Sequence, residues 1–438
     1  IDQAPPLHLP FRFFATAPIF LLLGGLATIF YAEEIFIAPL IPQTVALVHL
    51  GVLGWILMTM FGAMYQMIPV LASLPVPWPK LVPWVHGFIV MGIVTMVLGI
   101  ATDIHSWLLL FASLGLGAGI VLFIIPIAVA LYKAPSQHPT VTGMRISALS
   151  LVGVLVMGGI FLGEYSHGFY DWDREALVGV HLVWGLFGWV GTLIIGVSFQ
   201  VLPMFYMTPD FPNKRAFILL IAWAASLVLI PLSLFFKPET PHLLWFAALP
   251  GVAALCIYAF TMYKMLSQRK RTRIDTTYSY WLLGFAAAFI SLILMAFWPS
   301  MENDKIRLLF GVFYILGWSS SILFGMLYKI IPFLVWFHRF STMAGLVTIP
   351  MMDDLLPQKV VKLHFPAHIL TLLFFVLGIV LEQEIFTMLA GVGLIISGAI
   401  LAYSIWFSLS IEPPEAPEMP DFNSFFKDMP PPPATQGN

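Results

Sequence analysis

Residues 47–70 read LVHLGVLGWILMTMFGAMYQMIPV, and this stretch returns twice more in altered form. Residues 181–203 read HLVWGLFGWVGTLIIGVSFQVLP, and residues 312–332 read VFYILGWSSSILFGMLYKIIP. One ungapped frame fits all three: Gly-Trp, six residues, Gly, two residues, Tyr or Phe, Gln or Lys, one residue, Ile or Leu, then Pro. Trp55, Trp189 and Trp318 stand 134 and 129 residues apart, about a third of the chain. A frame repeated at that period reads as a triplicated unit.

Outward from these stretches the chain is apolar almost throughout. Hydrophobic residues make up 60% and charged residues 10% of the 438, and mean hydropathy is +0.94. A water-soluble chain of this length could not bury so much apolar surface, so lipid must cover much of it. Cys256 is the single cysteine, which excludes an internal disulfide, a Cys-based zinc site, an iron–sulfur cluster and covalent c-type haem attachment. No cleavable signal peptide is expected at the Ile1 end.

The hydropathy pattern predicts an all-α, polytopic membrane protein with twelve transmembrane helices. The expected spans are 11–31, 45–70, 83–100, 107–131, 144–162, 176–203, 216–236, 243–266, 278–298, 307–335, 365–381 and 386–407. Each is long enough to cross a hydrocarbon layer of about 30 Å as a helix. Twelve spans and three copies give four helices per repeat (about 11–142, 143–277 and 278–410), with the motif on spans two, six and ten. With the amino terminus inside, sixteen Lys and Arg fall on inner segments and four on outer ones (Arg174, Lys237, Lys305, Arg307). That bias places both termini in the cytoplasm of a bacterial or archaeal inner membrane. The tail, 411–438, has eight prolines and five carboxylates and should be extended, as a loose end or as a strap for a partner subunit.

Ionisable side chains at membrane depth point to function. Lys329, Gln66 and Gln200 hold equivalent frame positions near the inner ends of their spans and read as capping or snorkelling groups. His86 reads as an interfacial residue. His364 and His368, four apart, have a spacing that can hold a metal, but at the inner end of span eleven they read as an interfacial pair. His105, His167 and His242 lie in outer loops, where they could form a secondary metal site.

His49 and His181 differ from these. Both sit just below the outer surface on motif helices, which triplication would gather around a central axis. One neutral imidazole from each of two adjacent helices is the simplest bis-histidine, low-spin haem site. Glycines around them (Gly51, Gly54, Gly62, Gly179, Gly185, Gly188, Gly191, Gly196) would admit a flat macrocycle, or would serve helix contact alone. The plainer reading is two buried histidines bonded to backbone or to each other.

The stretch HLGVLGW…GAMYQMIP, residues 49–69, resembles the tenth helix of the main subunit (subunit I) of haem–copper oxidases, a superfamily that includes the nitric oxide reductases. The resemblance covers all twelve spans. In that family a His-x-His pair precedes Gly-x-x-Gly-Trp. His49 falls on the second histidine, a low-spin haem ligand, and Leu47 on the first. His181 stands 22 residues before Pro203, against 20 for His49 and Pro69, a spacing similar to the family's second helix. The resemblance implies one low-spin haem b between His49 and His181, with Trp55 and Trp189 beside it and Arg174 and Arg307 for its propionates. It implies no copper centre, because span seven has no histidine and span ten carries Phe310 and Val312 at the His-x-His positions. A complete oxidase or nitric oxide reductase is therefore not expected of this chain alone.

The expected function is electron transfer as a b-type cytochrome-like subunit of a respiratory or quinone-linked membrane complex. An outer acidic patch (Glu164, Asp171, Asp173, Glu302, Asp304, Glu382, Glu384) would meet a basic cytochrome c, or would be ordinary outer-loop acidity. Other subunits, a quinone and lipid complete the expected partners; nucleic acid is not among them. The alternatives are a haem-free structural or assembly subunit and, third, a transporter. Against transport, the repeats are parallel and threefold, and no span is broken at midplane.

Overall fold

The structure, a computed structural model, describes residues 5–35, 37–102, 106–167, 173–235, 241–270, 275–296 and 304–414. His105, Asp171, Lys237, Glu302 and most of the acidic tail, 415–438, lie outside them, as does the His167 side chain. Twelve helices among the described residues are long and apolar enough to span a membrane: α1 (His8–Phe30), α2 (Pro42–Leu71), α3 (Pro79–Thr102), α4 (Trp107–Lys133), α5 (Pro139–Tyr165), α6 (Arg174–Tyr206), α7 (Asn213–Phe235), α8 (His242–Ser267), α9 (Thr276–Ala296), α10 (Asp304–Arg339), α11 (Gln358–Leu381) and α12 (Glu384–Ser410). The protein is an all-α polytopic membrane protein.

The same neighbours recur in each third of the chain. The first helix of each repeat packs on its motif helix (α1 on α2, α5 on α6, α9 on α10), and the last two pair (α3 with α4, α7 with α8, α11 with α12). Contact between α12 and α1 closes the ring, and α4 meets α5. The motif helices form its centre. Between 61 and 72% of their apolar windows is buried, against 28–50% for the other nine. Outer helices turn large apolar side chains such as Ile221, Phe260 and Phe289 outward, as lipid contact requires.

The repeated glycines are helix-crossing points. A Cβ on Gly54 would come within 2.5 Å of Phe20 on α1, one on Gly188 within 2.6 Å of Ser150 on α5, and one on Gly317 within 2.7 Å of Ala287 on α9. The second glycine of the frame repeats this against the same helices: Gly62 against Phe14, Gly196 against Gly143, Gly325 against Tyr280. Absence of a side chain lets the two backbones approach, and close approach is what holds helices together in lipid.

Each motif helix also contains a π-helical stretch at the same place in the frame: Leu50–Leu57, Val183–Gly191 and Val312–Ser320. A π turn carries an extra residue and leaves carbonyls poorly paired. In α6 and α10 side chains five residues on take them up: Thr192 Oγ1 donates to Phe187 O (3.0 Å), Ser319 Oγ to Tyr314 O (2.9 Å) and Ser320 Oγ to Ile315 O (2.8 Å). Tyr314 donates across the axis to Leu186 O at 2.9 Å. The motif prolines, Pro69, Pro203 and Pro332, lie inside their helices. The expected spans therefore ended too early, at 203 and 335, where the helices run to Tyr206 and Arg339.

Candidate functional site

Two helix starts set the site. Pro42 opens α2 at its first turn, where a missing N–H is harmless, and Asp173 caps α6 by accepting from Ala176 N at 3.1 Å. Both helices then run inward from the same end of the bundle, termed its mouth, so His49 and His181 come to similar depth.

The structure brings these two imidazoles together. Their ring centres are 6.1 Å apart and their planes 35° from parallel. His49 Nδ1 donates to Val45 O at 2.7 Å, which leaves Nε2 as the free nitrogen. His181 Nδ1 is buried with no hydrogen-bond partner among the described residues. Phe161 of α5 stands edge-on to the His181 ring at 5.6 Å and limits its rotation. A metal ion roughly 2 Å from one nitrogen of each ring would set the ring centres about 6 Å apart, which is the spacing found.

Both rings face one cavity of about 370 Å³, within the range of sites that hold a cofactor-sized molecule. Its wall is apolar and includes seven glycines: Gly24, Gly51, Gly117, Gly158, Gly159, Gly185 and Gly311. At Gly51, Gly117, Gly159 and Gly311 an added Cβ would meet nothing within 4 Å, and at Gly158 the first atom met is His181 Cε1 at 3.8 Å. These glycines do not serve helix contact; a Cβ on each would take up cavity space. Trp55 lines the cavity, with its Nε1 donating to Ser320 Oγ at 2.9 Å. Trp189, expected beside the same cofactor, does not. Its ring is buried in the core, edge-on to Phe61 and Phe123.

Arg174 and Arg307 line the cavity toward the mouth. Their ion pairs are long: Arg174 to Glu164 at 3.7 Å, Arg307 to Asp304 at 3.8 Å and to Glu175 at 3.9 Å. At that separation the exposed Arg174 pair holds its guanidinium weakly. The acidic patch is partly engaged by the same contacts, since Glu164 and Asp304 pair with these arginines, Asp173 caps α6 and Glu382 pairs with Lys305.

Other candidates fall elsewhere. His364 and His368 are buried inside the bundle on α11, which begins at Gln358. Tyr328 OH bonds His364 Nδ1 at 2.7 Å and Ser321 Oγ bonds His368 Nε2 at 2.9 Å, with Phe324 packed on both rings. Lys329 does not snorkel; it bonds Asp275 at 2.5 Å. His86 Nε2 bonds Thr16 Oγ1 at 2.8 Å on α1. Gln66 and Gln200 each keep a buried Oε1 without a partner among the described residues. His242 is exposed at the start of α8. No group of three or more His, Cys, Asp or Glu gathers as a metal centre among the described residues.

The residues that sequence reading missed are small ones: Gly24 on α1, Gly117 on α4, Gly158–Gly159 on α5 and Gly311 on α10. The adjacent glycine pair inside an apolar span was the available signal. No protein-family model matches this chain, and no curated protein is similar to it beyond chance.

Proposed function

We propose that this protein is a b-type cytochrome-like membrane subunit that holds one low-spin haem b between His49 and His181. One observation carries the reading: two imidazoles on neighbouring central helices face one glycine-walled cavity at a separation that an iron can bridge. The bound haem would supply one-electron transfer. The chain's own residues do the rest. The Val45 carbonyl fixes the His49 tautomer and aims Nε2 inward, as a partner behind a metal-bound histidine should. Phe161 orients His181, the apolar wall excludes water, and Arg174 and Arg307 place positive charge where the propionates would lie.

Charge bias favours the mouth facing outward and both termini facing the cytoplasm of a bacterial or archaeal inner membrane. Electrons would then pass near the outer face, between other subunits of a redox complex and a cytochrome c or quinone. We read the chain as a divergent relative of the haem–copper oxidase main subunit. Leu47, Phe310 and Val312 stand where that family's further ligands would be, so no copper centre or oxygen chemistry is assigned to it.

The test is a reduced-minus-oxidised optical spectrum of the purified protein. Bands of a six-coordinate b-type haem are expected. A blank spectrum from protein purified with haem supplied would overturn the reading and leave a haem-free scaffold subunit.

A further inference from the structure

A second cavity, of about 70 Å³, lies on the pseudo-threefold axis on the far side of the motif tryptophans from the first. Fifteen of its sixteen lining residues are the fourth, fifth, eighth, ninth and twelfth residues after Trp55, Trp189 and Trp318. The sixteenth is Trp281 of α9. The tryptophan layer between the two cavities is closed on one side by Trp55, stacked on Phe324 at 4.7 Å and tied to Ser320.

The lining is apolar apart from three side chains. Ser198 uses its hydroxyl on Ile195 O and Tyr258 OH. Thr59 Oγ1 and Trp281 Nε1 are buried with no hydrogen-bond partner among the described residues. An enclosed water ordinarily makes about three hydrogen bonds and occupies roughly 10–15 Å³ of such volume. A space of about 70 Å³ has room for several waters, but its surface is almost wholly apolar and offers too little to hold them. Four methionines, Met60, Met64, Met67 and Met326, line the rest and present polarizable surface. The fitting occupant is compact, neutral and at most a weak hydrogen-bond acceptor.

We propose that this axial cavity is a binding site for small neutral gas molecules, of the size and polarity of dioxygen, carbon monoxide or nitric oxide. Its walls hold the guest by dispersion. The proposal is independent of the haem reading, because the two cavities share no lining residue.

Xenon is the probe. Crystals of the full chain pressurised with xenon should show one anomalous peak between Ala63, Val197 and Met326. Filling the space by Ala63→Phe should reduce its occupancy about tenfold or more, and the milder Val197→Leu should reduce it in part. Thermal unfolding of both variants separates a filled cavity from a damaged fold, and Val197→Leu keeps the test open if Ala63→Phe does not fold. Ordered water in the cavity with no xenon would overturn the proposal, as would a xenon peak unchanged in a folded, filled variant.

Discussion

Lys329, on α10, places Nζ 2.5 Å from Oδ2 of Asp275, the residue that precedes α9. The pair ties the motif helix of the third repeat to that repeat's first helix at the end opposite the mouth. Asp275 also accepts from Thr277 Oγ1 and from the Tyr278 N–H. Burial raises the Asp275 carboxyl, but the hydrogen bonds from Lys329, Thr277 and Tyr278 outweigh it and hold the group below its ordinary value of 3.8.

A depressed carboxylate stabilises the fold above its unfolded-state value and loses that contribution as pH falls through its folded-state value. Thermal stability should therefore be flat from neutral to mildly acidic pH and then drop below the ordinary carboxylate range. Asp275→Asn should remove that acid branch. It should also cost about 2 kcal/mol at neutral pH, because Lys329 is left partly buried and unpaired. Unfolding midpoints against pH for both proteins test this, and parallel curves would contradict it.

Replacing either cavity histidine should abolish low-spin haem without unfolding the protein. His49→Ala and His181→Ala each leave one imidazole, enough for a five-coordinate site at most. Optical or paramagnetic resonance spectra of the two variants are the measurement, and unchanged low-spin signals in both would remove the ligand assignment.

Glycines of the two kinds should respond in opposite ways. Gly25→Ala drives a Cβ to 2.5 Å from the Gly391 carbonyl of α12 and should cost about 1–3 kcal/mol. Gly159→Leu puts its Cβ into open space on the wall of the first cavity and should leave the thermal stability of the haem-free protein nearly unchanged. It should instead lower haem content, which pyridine haemochrome assay reads directly.

The Trp55–Ser320 hydrogen bond joins two central helices across the axis. Ser320→Ala leaves a buried indole N–H unsatisfied and should cost about 1 kcal/mol or somewhat more. A double-mutant cycle with Trp55→Phe isolates the pairwise part. A coupling near zero would mean that stacking on Phe324 alone positions the ring.

The Gly-Trp frame made much of this architecture legible. It located the central helices, and the spacing of His49 and His181 from their helix starts put them at one depth. What could not be read follows from contacts distant in sequence. The burial of His364 and His368 was hidden because the polar start of α11, Gln358–Lys362, resembles loop until it is seen to be helical. Lys329 finds its carboxylate 54 residues away in a separate segment. The difference between Gly54, which lets Phe20 in, and Gly51, which faces empty space, is invisible in a string where both are glycine. The wide turns also gave no composition signal, since their side-chain partners are common serines and threonines.

Those wide turns have a structural consequence for how the chain tolerates change. One surplus residue in a helix swings everything beyond it by about 100°. Removing Gly51 would therefore spare the Gly-Trp crossings with α1 yet rotate His49 away from His181. The same insertion sits in the third copy, whose helix has no histidine at either position. A helix path that aims side chains at the axis is thus shared by all three copies, while the side chains that exploit it are private to two.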